Sequence, residues 1–268
     1  MIERRFISSD GVELVYGEWG PETGTPIVLC HGIAVSSLQF RADAEYFAGL
    51  GYRVLTPDLR GHGRSAAPRP TKANYALLRL ARDQIEMLDH AGLSAVHWVG
   101  NSLGGIVALP LLAGDQARFL SFASFGTSYS IALPAVGGQF FVGLTFRVMG
   151  KELIARLAGP MTSRDAAAQL LITQMARDTN PDVVGAISAS LVPYDFIGTT
   201  AAATLPILLL RCGGDVLVNA ALQRTLRIMR KRPNFTLVEV KRGGHCANLD
   251  ATEDVRQALL AFWAKAAG

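Results

Sequence analysis

Cysteine is scarce in this chain. Its 268 residues include three, Cys30, Cys212 and Cys246, an odd number without the paired spacing of a zinc site. A disulfide framework and a metal knuckle are therefore not what organises the fold, and reduced thiols point to the cytoplasm. Charge is thin too: Asp, Glu, Lys and Arg make up 18% of residues, with a formal net charge of +4. The one dense basic group, Arg224 to Arg232, has no aromatic residue between its charges. It reads as a solvated helix face, so no nucleic-acid partner is expected.

Residues 91–114 and 119–146 contain no formally charged side chain. Both are interrupted by Pro, paired Gly and several Ser, Thr, Asn or Gln residues, so neither offers the near-continuous apolar helix that spans a bilayer. Stable membrane insertion is not expected. The first residues, Met1-Ile2-Glu3-Arg4-Arg5, run straight into strand-like alternation without the apolar stretch of a secretory signal, again an expectation of the cytoplasm. The glycine-rich run Asp58-Leu59-Arg60-Gly61-His62-Gly63-Arg64-Ser65 lacks the Gly-Lys-Ser/Thr ending and following helix of a phosphate cradle. His90 and His97 fall on a helix and a strand with no metal-ligand spacing. No metal is expected.

Half of the residues are hydrophobic, ample for a large core. Residues 5–9 and 12–19 read as a strand pair about Asp10-Gly11, a hairpin signal. The short apolar run at 26–30 reads as a buried strand, and 53–57, 95–100 and 118–125 read as further strands. Helical periodicity separates them at 37–50, closed by Gly51, at 74–91, closed by Gly92, and at 102–113. This βαβα alternation implies an α/β fold with a mostly parallel sheet and helices on both faces. The alternation stops after Phe125. Residues 126–200 read as helical segments jointed at Pro134, Gly137-Gly138, Gly159-Pro160, Asn180-Pro181 and Pro193, a poor source of sheet strands and the expected helical cap. Sheet signals resume at 205–211 and 235–240, with helices at 220–231 and near 252–264. The expected division is a core of 1–125 and 201–268 with a cap of 126–200.

The chemistry centres on Gly100-Asn101-Ser102-Leu103-Gly104, a G-x-S-x-G run between a strand and a helix. That context makes it a nucleophile elbow with Ser102 at its apex. A serine hydroxyl is a poor nucleophile at neutral pH, so it needs a base, and the base needs an orienting acid. His245, in Arg242-Gly243-Gly244-His245 after the last strand, is placed to be the base. Asp215, in Cys212-Gly213-Gly214-Asp215 after the preceding strand, is the acid and completes the order Ser, Asp, His. The loop Phe125-Gly126-Thr127-Ser128 offers no carboxylate. Asp250 is too close in sequence to His245 to reach its far nitrogen easily and is read as a start for the last helix. The backbone N–H groups of Ile33 and Leu103 are the expected oxyanion hole. His31 is read as a structural residue that ties its loop by hydrogen bonds.

Together, His31-Gly32, the 58–65 loop, the elbow, the Asp215 loop and Gly244-His245 resemble the α/β-hydrolase family, specifically its small, cap-bearing bacterial members. The resemblance spans nearly the whole chain. It implies an eight-stranded, mainly parallel sheet, an acyl-enzyme mechanism, a small-molecule substrate and no cofactor. The elbow Gly-Asn-Ser-x-Gly-Gly is similar to that of carbon-carbon bond hydrolases of ring-cleavage pathways. Ile33-Ala34-Val35-Ser36-Ser37 and Cys246 depart from that subgroup's longer glycine-rich oxyanion loop and from its aromatic residue after the histidine. Ser102 in place of an aspartate argues against a haloalkane dehalogenase.

The leading expectation is a serine hydrolase of a small, apolar carboxyl ester or lactone. The alternatives are carbon-carbon bond hydrolysis and a ligand receptor of little turnover on the same scaffold. Phe140, Phe141 and Phe146, in an unusually apolar stretch, and Cys246, beside the base, are the expected pocket residues. A homodimer is left open.

Overall fold

β3 (Pro26–Cys30), β5 (Val96–Asn101) and β9 (Ile207–Cys212) are buried along nearly their whole length without alternation, the pattern of strands covered on both faces. In the computed structural model, which describes residues 1–131, 151–191 and 193–266, they lie inside an eight-stranded sheet. The other members are β1 (Ile2–Ile7), β2 (Glu13–Trp19), β4 (Arg53–Asp58), β6 (Phe119–Phe125) and β10 (Phe235–Val240), in the order β1-β2-β4-β3-β5-β6-β9-β10. Only the β1–β2 and β2–β4 pairings are antiparallel; all the others are parallel.

Helices cover both faces. Phe47 of α1 (Arg41–Gly49) and Trp263 of α11 (Thr252–Ala266) pack on one side with Ile27, Val99 and Phe125. α2 (Leu77–His90), α3 (Leu103–Ala108) and α9 (Val216–Met229) pack on the other around Val28, Trp98 and Phe122. The connection from β3 to β4 runs through α1, and that from β4 to β5 through α2 on the opposite face. This reversal opens a crevice at the carboxyl ends of β3 and β5, the position where sheets of this type bind ligands.

The structure departs from the sequence reading at several element ends: α2 begins at Leu77 and not at 74, β1 lies at Ile2–Ile7 and not at 5–9, and three helices differ further. The helix expected from residue 102 to 113 breaks into α3 and α4 (Leu111–Gly114), because Pro110 has no N–H and its ring collides with a preceding carbonyl. α1 is preceded by a separate 3₁₀ turn at Ser37–Phe40. α9 starts at Val216, earlier than the expected residue 220, because the Asp215 carboxylate caps it at Val218 N–H (3.4 Å).

Between β6 and β9 the described residues add no strand to the main sheet. β7 (Ser130–Ile131) pairs with β8 (Tyr194–Asp195) as a separate ribbon. The remaining described elements there are α5 (Lys151–Thr162), α6 (Ala166–Asp178), α7 (Pro181–Ser190) and α8 (Ile197–Ala202). Among the described residues no helix is long and apolar enough to cross a membrane.

Two polar clusters hold the loops that follow β3 and β4. Arg60, wholly buried, uses all five of its N–H groups: two on Asp83, two on Asp10 and one on the Asn74 carbonyl, at 2.6–3.0 Å. His31 Nε2 accepts the Leu59 N–H (3.0 Å), and His62 Nε2 accepts the Ala34 N–H (3.2 Å). Their Nδ1 atoms face the carbonyls of Gly32 and Arg60, so both rings sit as neutral Nδ1–H tautomers. The structural role expected of His31 is the one observed.

Burial lowers the proton affinity of His31, that of His62 to about 3, and that of His97 to about 4. An unfolded chain protonates these rings below about pH 6.5 while the folded one does not. Stability is therefore complete above pH 6.5 and falls as pH drops toward these lowered values, by up to about 1.4 kcal/mol per pH unit for each proton withheld. The melting temperature is expected to be clearly lower at pH 5.5 than at pH 7.5 by calorimetry. A flat profile over that interval contradicts the buried neutral rings.

Candidate active site

The elbow is shaped by close approaches that only glycine permits. A Cβ at Gly100 would lie 2.4 Å from the Gly104 carbonyl carbon, and one at Gly104 would lie 2.1 Å from the Cys30 carbonyl oxygen. Between them Ser102 has φ 49° and ψ −114°, in the left-handed half of the map that L-residues rarely occupy. Its N–H donates to the Phe125 carbonyl (3.0 Å), and its own carbonyl accepts Gly105 N–H, Ile106 N–H and Thr127 Oγ1. Thr127 braces the strained residue from a loop that the sequence reading searched only for a carboxylate.

The structure brings Asp215 and His245 together. Asp215, buried at the end of β9, accepts the His245 Nδ1–H at Oδ2 (2.7 Å). This fixes the tautomer and leaves Nε2 as the free base. The His245 backbone is joined to the elbow by Asn101, whose Nδ2 donates to the His245 carbonyl (2.8 Å). The His245 ring edge passes over Gly126, where a Cβ would meet Cε1 at 3.1 Å. Ser102 Oγ caps no helix N–H and makes no hydrogen bond to His245.

In the loop after β3, Gly32 N–H is tied to Gln39 Oε1 (3.3 Å) and Ala34 N–H to His62 (3.2 Å). Between them, Ile33 N–H meets no acceptor among the described residues, nor does Leu103 N–H at the start of α3. Two backbone donors without an acceptor among the described residues thus flank the elbow from adjacent strand ends.

Asp250 is neither a second acid for His245 nor the start of the last helix. It closes the short α10 (Ala247–Asp250). Its carboxylate accepts Gly244 N–H (2.7 Å) and the Ser163 hydroxyl. With Cys246 N–H on the Thr162 carbonyl (3.2 Å), it fastens the histidine loop to the end of α5. Local sequence could not reveal this, because Ser163 and Asp250 are 87 residues apart.

Cys246 is buried, and burial pushes its thiol up to about 12, so it is not ionised at neutral pH. It helps line a cavity of about 50 Å³ with Ile33, Val35, Ala158, Ile172 and His245. Ala158 and Ile172 reach it from α5 and α6. Phe140, Phe141 and Phe146 lie outside the described residues. Among the described residues no group of three His, Cys, Asp or Glu side chains could hold a metal ion.

A model of the Alpha/beta hydrolase family matches residues 27–258. Among curated proteins, the chain is 37% identical over 156 residues to Epoxide hydrolase A of Mycobacterium tuberculosis, covering 54% of this chain and 48% of that protein. The chain thus spans about half the length of this relative. Among solved structures, a thermophilic esterase from Thermogutta terrifontis superposes with a TM-score of 0.85 at 23% identity, covering 99% of each chain. An enol-lactonase from Burkholderia xenovorans LB400 superposes with a TM-score of 0.85 at 18% identity, covering 97% of this chain and 100% of that one. These structural likenesses show the fold alone; with the match over residues 27–258, the chain belongs to the alpha/beta hydrolase family.

Proposed function

We propose that this protein is a serine hydrolase that cleaves a small, apolar carboxyl ester or lactone through an acyl-enzyme on Ser102, with residues 126–200 as its cap. The observation that carries the reading is the 2.7 Å Asp215–His245 bond, made beside an elbow whose serine is held at φ 49°. In the first half-reaction, Ser102 Oγ adds to the carbonyl carbon while its proton passes to His245 Nε2. Ile33 and Leu103 N–H groups hold the oxyanion. The carbon-oxygen bond then breaks, and His245 gives that proton to the leaving alkoxide. Water repeats the sequence on the acyl-enzyme, releasing the acid and regenerating Ser102.

Chemistry favours an ester over an epoxide substrate despite the named relative. Serine attack on an epoxide leaves an ether, which water activated by histidine does not cleave. A carboxylate nucleophile would leave a hydrolysable ester, and the elbow offers none. The test is incubation with a fluorophosphonate followed by peptide mass spectrometry. One adduct, on the Ser102 peptide, with parallel loss of p-nitrophenyl acetate turnover, is expected. An unlabelled Ser102 in a protein that still turns over the ester removes the mechanism.

The cavity beside His245 sets the expected acyl size. At about 50 Å³ this cavity is small, so a short acyl group is its expected occupant and a long chain is not. On p-nitrophenyl esters, kcat/KM is expected to be about tenfold or more higher for acetate or butyrate than for octanoate, and Ile172→Ala is expected to narrow the gap. A parent enzyme that prefers octanoate refutes this placement of the acyl group.

A further inference from the structure

Four polar side chains beneath the site are buried and belong to no step of the mechanism above: Gln39, Asp43, Asn101 and Asn248. Gln39, in the 3₁₀ turn before α1, touches three of the four segments that carry the proposed chemistry, those of Ile33, Ser102 and His245. Its Oε1 accepts Gly32 N–H (3.3 Å), next to the oxyanion donor Ile33. Its Nε2 donates to Asn101 Oδ1 (2.9 Å), next to Ser102, and to Asn248 Oδ1 (3.1 Å), three residues beyond His245. Asn101 Nδ2 continues to the His245 and Phe125 carbonyls (2.8 and 3.2 Å). Asn248 Nδ2 bonds the Gln39 carbonyl and Asp43 (both 2.9 Å), and Arg256 covers Asp43 from outside (2.8 Å). None of these side chains has a buried polar atom left without a partner.

We propose that Gln39 is a positioning residue that sets the distance between the Ile33 N–H and the Ser102 elbow by holding the oxyanion, nucleophile and histidine loops on one buried amide. The inference rests on the proposed serine mechanism. Ser102 and His245 share no hydrogen bond in the resting site, so the spacing of their loops comes from connections below them. Buried, fully satisfied polar networks specify one arrangement where apolar packing tolerates several. An oxyanion donor displaced by about 1 Å loses much of its effect, which appears in the transition state and not in ground-state binding.

The test compares the parent with Gln39→Met, which removes all three bonds, and Gln39→Glu, which keeps the shape but sets a carboxylate oxygen against Asn101 Oδ1 and Asn248 Oδ1. Readouts are kcat and KM on p-nitrophenyl acetate and the Ki of a trifluoromethyl ketone. For both variants kcat is expected to fall about 30- to 300-fold with KM within about threefold, and Ki to rise by a similar factor. An unchanged kcat, or a kcat loss without a matching rise in Ki, overturns the proposal. If neither variant folds, Asn248→Ala, which leaves Gln39 bonded to Gly32 and Asn101, is read in the same way. It is expected to show a smaller loss of the same kind, and parental kinetics overturns the proposal. Failure of the parent to accept the fluorophosphonate on Ser102 instead sinks the underlying serine mechanism.

Discussion

Ser102→Ala is expected to lower kcat/KM on p-nitrophenyl acetate by about four to six orders of magnitude, with KM and melting temperature little changed. The large effect follows from what one oxygen does: without Oγ there is no acyl-enzyme, and His245 has no proton to take. The residual rate is water attack on an ester still polarised by Ile33 and Leu103 N–H groups. The fold should tolerate the change, because Ser102 Oγ caps no helix N–H. Alanine also keeps the Cβ that already sits at φ 49°, so no new backbone strain is introduced. Steady-state kinetics on protein freed of trace parent enzyme, beside a thermal melt, checks both halves. Turnover within tenfold of the parent contradicts the role given to Ser102.

The second large effect is on stability. Arg60→Leu removes one of the two cations on Asp83, whose side chain is 1% exposed, leaving it Arg79 (2.8 Å), and takes the guanidinium from the Asp10 carboxylate and the Asn74 carbonyl. Breaking a buried ion pair from one side costs about 3–5 kcal/mol where the remaining charge is unpaired; with Arg79 still on Asp83 the lower end, about 3 kcal/mol, is expected. For a domain of this size that is a drop of roughly 10 °C in melting temperature. The Arg60→Leu, Asp83→Leu double variant is expected to recover part of the loss, since no half-paired carboxylate then remains at that buried position. Calorimetry on the three proteins checks this. A single variant that melts with the parent shows that Arg79 alone satisfies Asp83 in the folded chain.

Both effects trace to residues of short, glycine-marked runs, and such runs are what a sequence discloses well. Ser102 was legible because the elbow is a local object: Gly100 and Gly104 are demanded by contacts within a few residues and by one neighbouring strand. Arg60 stood in a run that was noticed, but its partners Asp10 and Asp83 were not, because the 58–65 loop says nothing about what packs behind it. The helix boundaries that moved, at Pro110 and Asp215, did so through local chemistry that a stricter reading of proline and of capping carboxylates could have caught.

The sequence by itself determined the α/β alternation, the elbow, and the chain order of Ser102, Asp215 and His245. Each is encoded by periodicity or turn chemistry within about ten residues, and strand ends of a parallel sheet necessarily gather on one edge. Only the tertiary structure decided that Asp215 lies 2.7 Å from His245, that Asp250 faces Ser163 instead, and that Gln39 and Asn248, 209 residues apart, share a hydrogen bond beneath the site. Those pairings depend on strand order and loop packing, which follow from the burial of the whole core and leave no mark at the residues themselves.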